Sequence, residues 1–166
     1  MPATYEPIAT TTLGSAAASI TFSSIPATYT DLRLVVVGIP LNSTGIYSAI
    51  RVNSDTGTNY STTAVSGNGT SAASSQFTST TSFIRSASGD SSKLALWEID
   101  LFSYAGSTNK TALGKASSDN NGTGQVNYQV GLWRNTAAIN AVSIYSLTAS
   151  NMEIGSTITL YGIKNA

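Results

Sequence analysis

The sequence predicts an all-β protein, an antiparallel β-sandwich of the jelly-roll kind with an extended N-terminal arm. About nine strand-like segments recur along the chain, each bounded by Gly, Asn, Ser, Asp or Pro. Several segments alternate apolar and polar residues with period two. No stretch of good helix formers carries an apolar stripe at helical spacing, and about three residues in ten are Ser or Thr. A single-sheet barrel is the alternative, because strand number does not separate the two architectures.

The alternation defines the predicted strands in chain order. Leu32, Leu34 and Val36 share one face of the second segment. In a later segment the apolar residues of 126–132 share one face, and the polar residues and glycine share the other. The predicted strands are Ser19–Ser24, Asp31–Val37, Ile46–Asn53, Ser75–Arg85, Lys93–Tyr104, Lys110–Ala116, Gln125–Arg134, Ala138–Leu147 and Ser156–Ile163.

One predicted strand, Lys93–Tyr104, departs from simple alternation. Leu94 and Leu96 have one parity, whereas Trp97, Ile99 and Leu101 have the other. Either a β-bulge shifts the register near Leu96, or the strand is covered on both faces. Cover on both faces would suit a subunit interface.

Composition also predicts the irregular segments. Ser54–Ser75 is rich in Ser, Thr, Gly and Asn and is expected to be a loop, and Asp119–Gly124 is expected to be a turn. Residues 1–17 hold few apolar residues among Thr and Ala and carry two prolines, a composition poorly suited to a packed strand. We therefore expect residues 1–17 to be an arm that orders on a neighbour, and residues 18–166 to form the sandwich domain.

The composition excludes several classes of function. Without His or Cys the chain cannot form a Ser-His-Asp triad, a thiol nucleophile or a common zinc site. Eight basic and eight acidic residues cancel, which argues against nucleic-acid binding. The apolar stretch Leu32–Leu41 is interrupted and too short to span a membrane, and residues 1–18 do not resemble a signal peptide. We expect a soluble protein made in a cytoplasm, with no cofactor.

Carboxylates are the remaining route to catalysis. Glu98 and Asp100 lie two residues apart in one strand and so share a face, as a glycosidase pair would. We favour the interpretation that they are solvated or paired with cations of neighbouring strands, such as Lys93, Arg85 or Arg134. The sequence therefore predicts a protein that is not an enzyme.

Two Asn- and Asp-rich segments resemble calcium loops. Asn53–Asn59 and Asp119–Gly122 place oxygen ligands at alternate positions. Each carries a single carboxylate and lacks the closing Glu, and the same residues are common in tight turns. We interpret both segments as turns.

The eight tyrosines could contribute to a sugar-binding surface, because Tyr stacks and hydrogen-bonds at little entropic cost. Tyr128, Tyr145 and Tyr161 lie inside predicted strands and are expected to pack. Tyr47, Tyr60 and Tyr104 lie nearer segment ends and are the better candidates for a partner surface.

Two segments carry a resemblance to a known group of proteins. Ile20–Leu34, read ITFSSIPATYTDLRL, and Gly155–Lys164, read GSTITLYGIK, resemble small virion proteins of tailed bacteriophages. These include capsid decoration (cement) proteins and jelly-roll modules of tail fibres. The resemblance implies a β-sandwich that these two segments open and close, a trimer, and no catalytic residues.

The function expected from these observations is that of a non-enzymatic capsid decoration protein on the virion surface. Its partners would be the major capsid protein, or another virion protein, and further copies of itself. The alternative is a tail-fibre or receptor-binding module whose loops, such as Ser54–Ser75, contact host glycans; the short chain favours decoration. The candidate partner contacts are Tyr5, Ile8 and Leu13 of the arm and Trp97, Ile99 and Leu101 of the predicted strand Lys93–Tyr104.

Overall fold

The computed structural model describes residues 4–38, 47–87, 94–118, 122, 124–147 and 151–164. Within these ranges the chain forms twelve strands and no helix, so none of the described residues belongs to a helix that could cross a membrane. The strands are β1 (Tyr5–Thr12), β2 (Ser19–Phe22), β3 (Asp31–Gly38), β4 (Tyr47–Val52), β5 (Tyr60–Gly67), β6 (Ala72–Thr80), β7 (Phe83–Ala87), β8 (Ala95–Phe102), β9 (Lys110–Ser118), β10 (Gln125–Trp133), β11 (Val142–Ser146) and β12 (Thr157–Ile163).

The strands form two antiparallel sheets. One has eight strands in the order β1-β12-β3-β8-β9-β10-β5-β6, and the other has four in the order β2-β11-β4-β7. Strand β7 of the smaller sheet packs against β10, β9 and β5 of the larger one. The predicted all-β antiparallel sandwich is therefore confirmed.

The core lies between the sheets and is densest beneath β3, β8 and β12. Leu34 of β3 stands opposite Ile99 of β8 and Leu160 of β12, and all three side chains are buried. On the smaller sheet, Ile50 and Ile144 are opposite each other and equally buried. Each such side chain stabilises the fold by about 1.5–3 kcal/mol relative to an exposed one, so this cluster holds the sheets together.

The prediction that Ser54–Ser75 is a loop is wrong, because this range contains β5 and the start of β6. Strand β5 alternates as a strand should, with Tyr60, Thr62 and Ala64 turned inward and Thr63 and Val65 outward. Apolar alternation does not reveal this strand, because hydroxyl-bearing and small residues occupy several of its buried positions.

The single strand expected over Ser75–Arg85 is two strands in different sheets. Strand β6 ends at Thr80 in the larger sheet, and β7 begins at Phe83 in the smaller one. Ser79 adopts a left-handed backbone conformation with φ of 53°, next to the register shift between β5 and β6. This local irregularity ends the β5–β6 pairing and precedes the crossing to the smaller sheet.

Tyr5–Leu13 do not form an unpaired arm, which corrects the expectation for this part of residues 1–17; residues 1–3 lie outside the described chain. Strand β1 pairs with β12 from Tyr5 to Thr12, with one register shift between Pro7 and Ala9. Beyond β1, Leu13 continues the pairing through two backbone hydrogen bonds of 2.8 and 2.9 Å with Gly155 and Ser156. Pro7 is tolerated because β1 lies at the edge of the sheet.

Strand β8 keeps one continuous register. Its pairing with β3 and with β9 shows no shift, so the expected β-bulge near Leu96 is absent from this described strand. Trp97, Ile99 and Leu101 point into the core, whereas Leu96 and Phe102 are exposed on the opposite face. Within the described chain, β8 is thus covered on one face only.

Candidate functional site

Between Val126 and Val130, strand β10 turns its apolar side chains to solvent and Gln129 to the interior, whereas Trp133 at its end is buried in the core. Val126, Tyr128 and Val130 have exposed fractions of 61%, 51% and 46%, whereas Gln129 has 4%. Antiparallel sheets with one solvated face normally bury the apolar side. The inversion leaves the outer side of the larger sheet unusually apolar at this point.

The neighbouring strands extend this apolar surface into a groove. Tyr128 stands opposite Val65 of β5 and Lys115 of β9, and Lys115 stands opposite Glu98 of β8. We call the outer groove the depression of about 550 Å³ that is lined by Val65, Ser66, Gly67, Leu96, Glu98, Lys115, Ala116, Ser117, Val126, Asn127 and Tyr128. A volume of several hundred Å³ with a mostly apolar lining is typical of a ligand or partner site.

The charges in and beside the outer groove are neutralised in pairs. Lys115 Nζ lies 2.5 Å from Glu98 Oε2, and this hydrogen bond raises the pKa of Lys115. Next to this pair, Arg33 contacts both oxygens of Asp100 at 2.5 and 2.9 Å, and that bond raises the pKa of Arg33. The groove therefore offers no unpaired charge from these four residues to a partner.

This geometry bears on the carboxylate pair considered for catalysis. Glu98 and Asp100 do share the outer face, as expected, but each carboxylate is held by its own cation from an adjacent strand. The cations are Lys115 and Arg33, whereas Arg134 donates to the backbone carbonyl oxygens of Thr58 and Tyr60. Lys93 and the side chain of Arg85 lie outside the described residues. Cross-strand ion pairs of this kind stabilise a sheet surface, and the arrangement supports the structural interpretation of the two carboxylates.

Most of the six candidate partner contacts lie in or against the core. Trp97, Ile99 and Leu101 are buried between the sheets, and Leu13 is buried at the end of β1. Ile8 is half-buried and packs against the same core. The burial of Trp97, Ile99, Leu101 and Leu13 corrects their assignment as a docking surface, because a side chain with almost no solvent contact cannot meet a partner in this fold. The assignment stays a prediction for Tyr5, which is exposed, and for Ile8, which is half-buried.

The tyrosines divide differently from the expectation. Tyr60 and Tyr104, proposed for a partner surface, are fully buried, whereas Tyr128, expected to pack, is exposed in the outer groove. The Tyr60 hydroxyl donates to the carbonyl oxygens of Val52 and Asp55, and burial raises its pKa. The side chain of Tyr47 lies outside the described residues.

The first of the two segments resembling calcium loops is a turn, as interpreted. Both oxygens of Asp55 accept hydrogen bonds, Oδ1 from the Gly57 N–H at 2.8 Å and Oδ2 from Asn59 and from the Trp133 indole N–H at 2.9 and 2.7 Å. The Asn53 carboxamide oxygen likewise accepts from two backbone N–H groups. These donors occupy the oxygens that a cation would need. Within the described part of the chain no group of three His, Cys, Asp or Glu side chains that could hold a metal ion occurs, and most of Asp119–Gly122 lies outside it.

The structure also shows which face of the predicted strand Lys93–Tyr104 is exposed. Among the described residues, this strand is neither covered on both faces nor interrupted by a bulge. The face left uncovered is that of Leu96, not that of Trp97. The accompanying residues Val65, Val126 and Tyr128 were not identified. Period two gives the two faces of a strand but not which of them meets the second sheet.

Comparison with known proteins adds little beyond the architecture. No protein-family model and no characterised protein matches the sequence. Among solved structures, a galectin of Caenorhabditis elegans matches over 94% of this chain and 96% of its own, with 8% identity and a TM-score of 0.38. The Eiger TNF of S. frugiperda matches over 99% and 96%, with 10% identity and a TM-score of 0.25. Scytalido-glutamic peptidase matches over 90% and 65%, with 11% identity and a TM-score of 0.24.

Proposed function

We propose that this protein is a non-enzymatic structural protein of a tailed-phage virion, most specifically a capsid decoration protein. The outer groove and the apolar face of β10 would dock it onto the major capsid subunits. The observation that carries the proposal is the inverted strand β10, which turns Val126, Tyr128 and Val130 to solvent. The phage context comes from the resemblance of Ile20–Leu34 and Gly155–Lys164 to such proteins.

The physical cost of this surface supports a docking role. Apolar surface exposed in a contiguous patch is unfavourable in water and marks interaction sites when it is larger than scattered single residues. Val126 and Val130 flank Tyr128 along one strand, Val65 lies on the adjacent β5, and Leu96 lies on β8, which β9 separates from β10. Burying each valine against a partner would contribute about 1.5–3 kcal/mol before the entropic costs of association.

The surface charge pattern fits a partner that is recognised mainly by shape. Lys115 with Glu98, and Arg33 with Asp100, already neutralise one another on this face. A protein partner could cover them without leaving a buried charge unpaired, which would cost several kcal/mol. The absence of cysteine from the sequence also makes the fold insensitive to the change from a reducing cytoplasm to the outside.

A capsid-binding experiment tests the proposal. Val126→Asp places a charge on the docking face without touching the core, and we expect binding to expanded capsids of the encoding phage to weaken by about tenfold or more. Ile154→Asp is the matched control, since Ile154 is 62% exposed in a turn away from the groove. Equal binding of both variants, or no binding by the unmodified protein, would contradict the proposal.

Deleting the N-terminal residues is a poor test of docking. Such a deletion removes β1, which pairs with β12 along its whole length. Loss of capsid binding would then report damage to the sheet as readily as loss of a contact. A surface substitution is therefore the sharper experiment.

A second candidate function is recognition of host glycans by a tail-fibre module. Tyr128 favours it, because an exposed aromatic ring beside the Lys115–Glu98 pair offers stacking and hydrogen bonding to a sugar. A glycan array probed with the purified protein tests this function. A signal that Tyr128→Ala abolishes and Ile154→Ala leaves intact would favour glycan binding over decoration, and a blank array would remove it.

A further inference from the structure

Strand β6 is a long edge strand that has cover on neither face. It spans nine residues, Ala72–Thr80, and every residue except Thr80 is exposed. It pairs with β5 on one side, and among the described strands none lies on its other side. An edge strand of this kind can template the pairing of another strand through its outward backbone N–H and C=O groups.

Neither charge nor proline blocks this edge, and the one irregularity of β6, at Ser79, lies at its C-terminal end. Residues 56–84 contain no Asp, Glu, Lys, Arg or Pro, and β6 lies wholly within that stretch. Charged side chains and proline are the usual means by which proteins keep an edge strand from pairing. The long uncharged stretch is thus located at the one place in the larger sheet where charge would protect against association.

The opposite edge of the same sheet is blocked. Strand β1 carries Pro7, which lacks a backbone donor, and a register shift between Pro7 and Ala9. It also carries Glu6, whose carboxylate is 3.0 Å from Lys164 Nζ. Proline, charge and irregular register together make β1 a poor template. The edge strands of the smaller sheet, β2 and β7, have only four and five residues.

We propose that β6 pairs antiparallel with β6 of a second copy of this chain, joining two eight-stranded sheets across a two-fold axis. The second copy is the occupant that the charge pattern favours, since two uncharged edges meet without a buried unpaired charge or a like-charge contact. Because each chain has one open edge in the larger sheet and one blocked edge, pairing stops at two chains and forms no fibre.

The register between the copies is constrained by the faces of the sheet. Ser74 and Gln76 stand opposite Val65 and Thr63 of β5, so they share the outer face of the sheet. A two-fold axis perpendicular to the sheet places the outer faces of the two sheets on the same side. Even-numbered residues of one β6, which lie on the outer face, therefore stand opposite even-numbered residues of the other β6. The apolar surface around Val65 would then continue across the axis into the second copy.

The inference is independent of the proposed function, because it requires only a second copy of the chain. Analytical ultracentrifugation over a dilution series should give the unmodified protein twice the 17.1 kDa mass of one chain. Ser74→Lys combined with Gln76→Lys places like charges across the axis and should give the mass of one chain. The control, Thr10→Lys with Thr12→Lys on the outer face of β1, adds the same charge at the blocked edge and should remain dimeric.

A charge-reversal experiment separates pairing from damage to the fold. The double Glu variant at positions 74 and 76 should also be monomeric alone, and mixing it with the double Lys variant should restore the dimer. A misfolded variant would not recover on mixing. A monomeric or trimeric unmodified protein, a dimer that survives the Lys substitutions, or a failure of the mixture to dimerise overturns the inference.

Discussion

The two halves of the larger sheet use the same alternation for opposite purposes. In β12, β3 and β8 the inward residues are large aliphatic side chains such as Leu34, Ile99 and Leu160. In β10 and β5 the inward positions include Gln129 and Thr62, and large apolar residues face solvent. We call these regions the aliphatic half and the hydroxyl half. The difference teaches that the aliphatic half contributes most of the aliphatic core, while the hydroxyl half combines buried aromatic and polar side chains with an exposed apolar face.

In the hydroxyl half, a hydrogen-bonded cluster around Asp55 and Trp133 stabilises the fold, whereas in the aliphatic half the packing of apolar side chains does so. At one end of β10 and β5, the Trp133 indole N–H donates to Asp55, and the Trp133 ring stacks on Tyr60 with centroids 6.3 Å apart. This arrangement fixes the turn after β4 to the last residue of β10. We therefore expect the two halves to respond differently to substitution.

The largest effect is expected from Ile99→Ala in the aliphatic half. Ile99 is fully buried, and its truncation removes apolar contacts and leaves a cavity between the sheets. We expect the free energy of unfolding to fall by about 3 kcal/mol, as measured by urea denaturation. A loss below about 1 kcal/mol would mean that the core repacks freely and that the aliphatic half does not dominate stability.

A smaller effect is expected from Asp55→Asn in the hydroxyl half. The substituted amide can accept on one side only, so at least one of the donors from Gly57, Asn59 and Trp133 loses its partner. We expect a loss of about 1–2 kcal/mol at neutral pH, together with a change in tryptophan fluorescence. An unchanged unfolding midpoint and spectrum would show that the cluster contributes nothing.

The same carboxylate predicts how stability depends on pH. Hydrogen bonds from Asn59 and Trp133 lower the Asp55 pKa below its ordinary value of 3.8 in the folded protein. The unfolded state therefore takes up a proton first as pH falls below about 4, so the contribution of Asp55 is present above that pH and is lost below it. In Asp55→Asn this part of the acid destabilisation should disappear, which urea denaturation at pH 3 and pH 6 would measure; equal acid sensitivity of both proteins would contradict the assignment.

The smallest effect is expected from Val130→Thr on the outer face. Thr has the shape of Val and keeps its branched Cβ, and Val130 is already half in solvent. We expect a change in unfolding free energy within about 0.5 kcal/mol. The same exchange at a buried position would be far more costly, so a large loss at Val130 would mean that this face is covered in the folded protein.

The sequence by itself determined the class of fold and the positions of many of its strands. The regular alternation in Asp31–Val37 and Ser156–Ile163 located β3 and β12, because aliphatic residues at every second position report a half-buried strand directly. Strand β5 was missed because Tyr60, Thr62 and Ala64 fill its buried positions, and these residue types are equally common in loops and turns.

Only the tertiary structure decided which face of each strand is covered. Alternation is a local signal, but the side on which the smaller sheet packs depends on strands distant in sequence, such as β7 across β10. The tertiary structure likewise buries Lys110. Its Nζ donates to the carbonyl oxygens of Gly106, Thr108 and Thr136, and burial lowers its pKa. These carbonyls come together only when the chain folds, so residue type alone places Lys110 on the surface, whereas the fold places it inside.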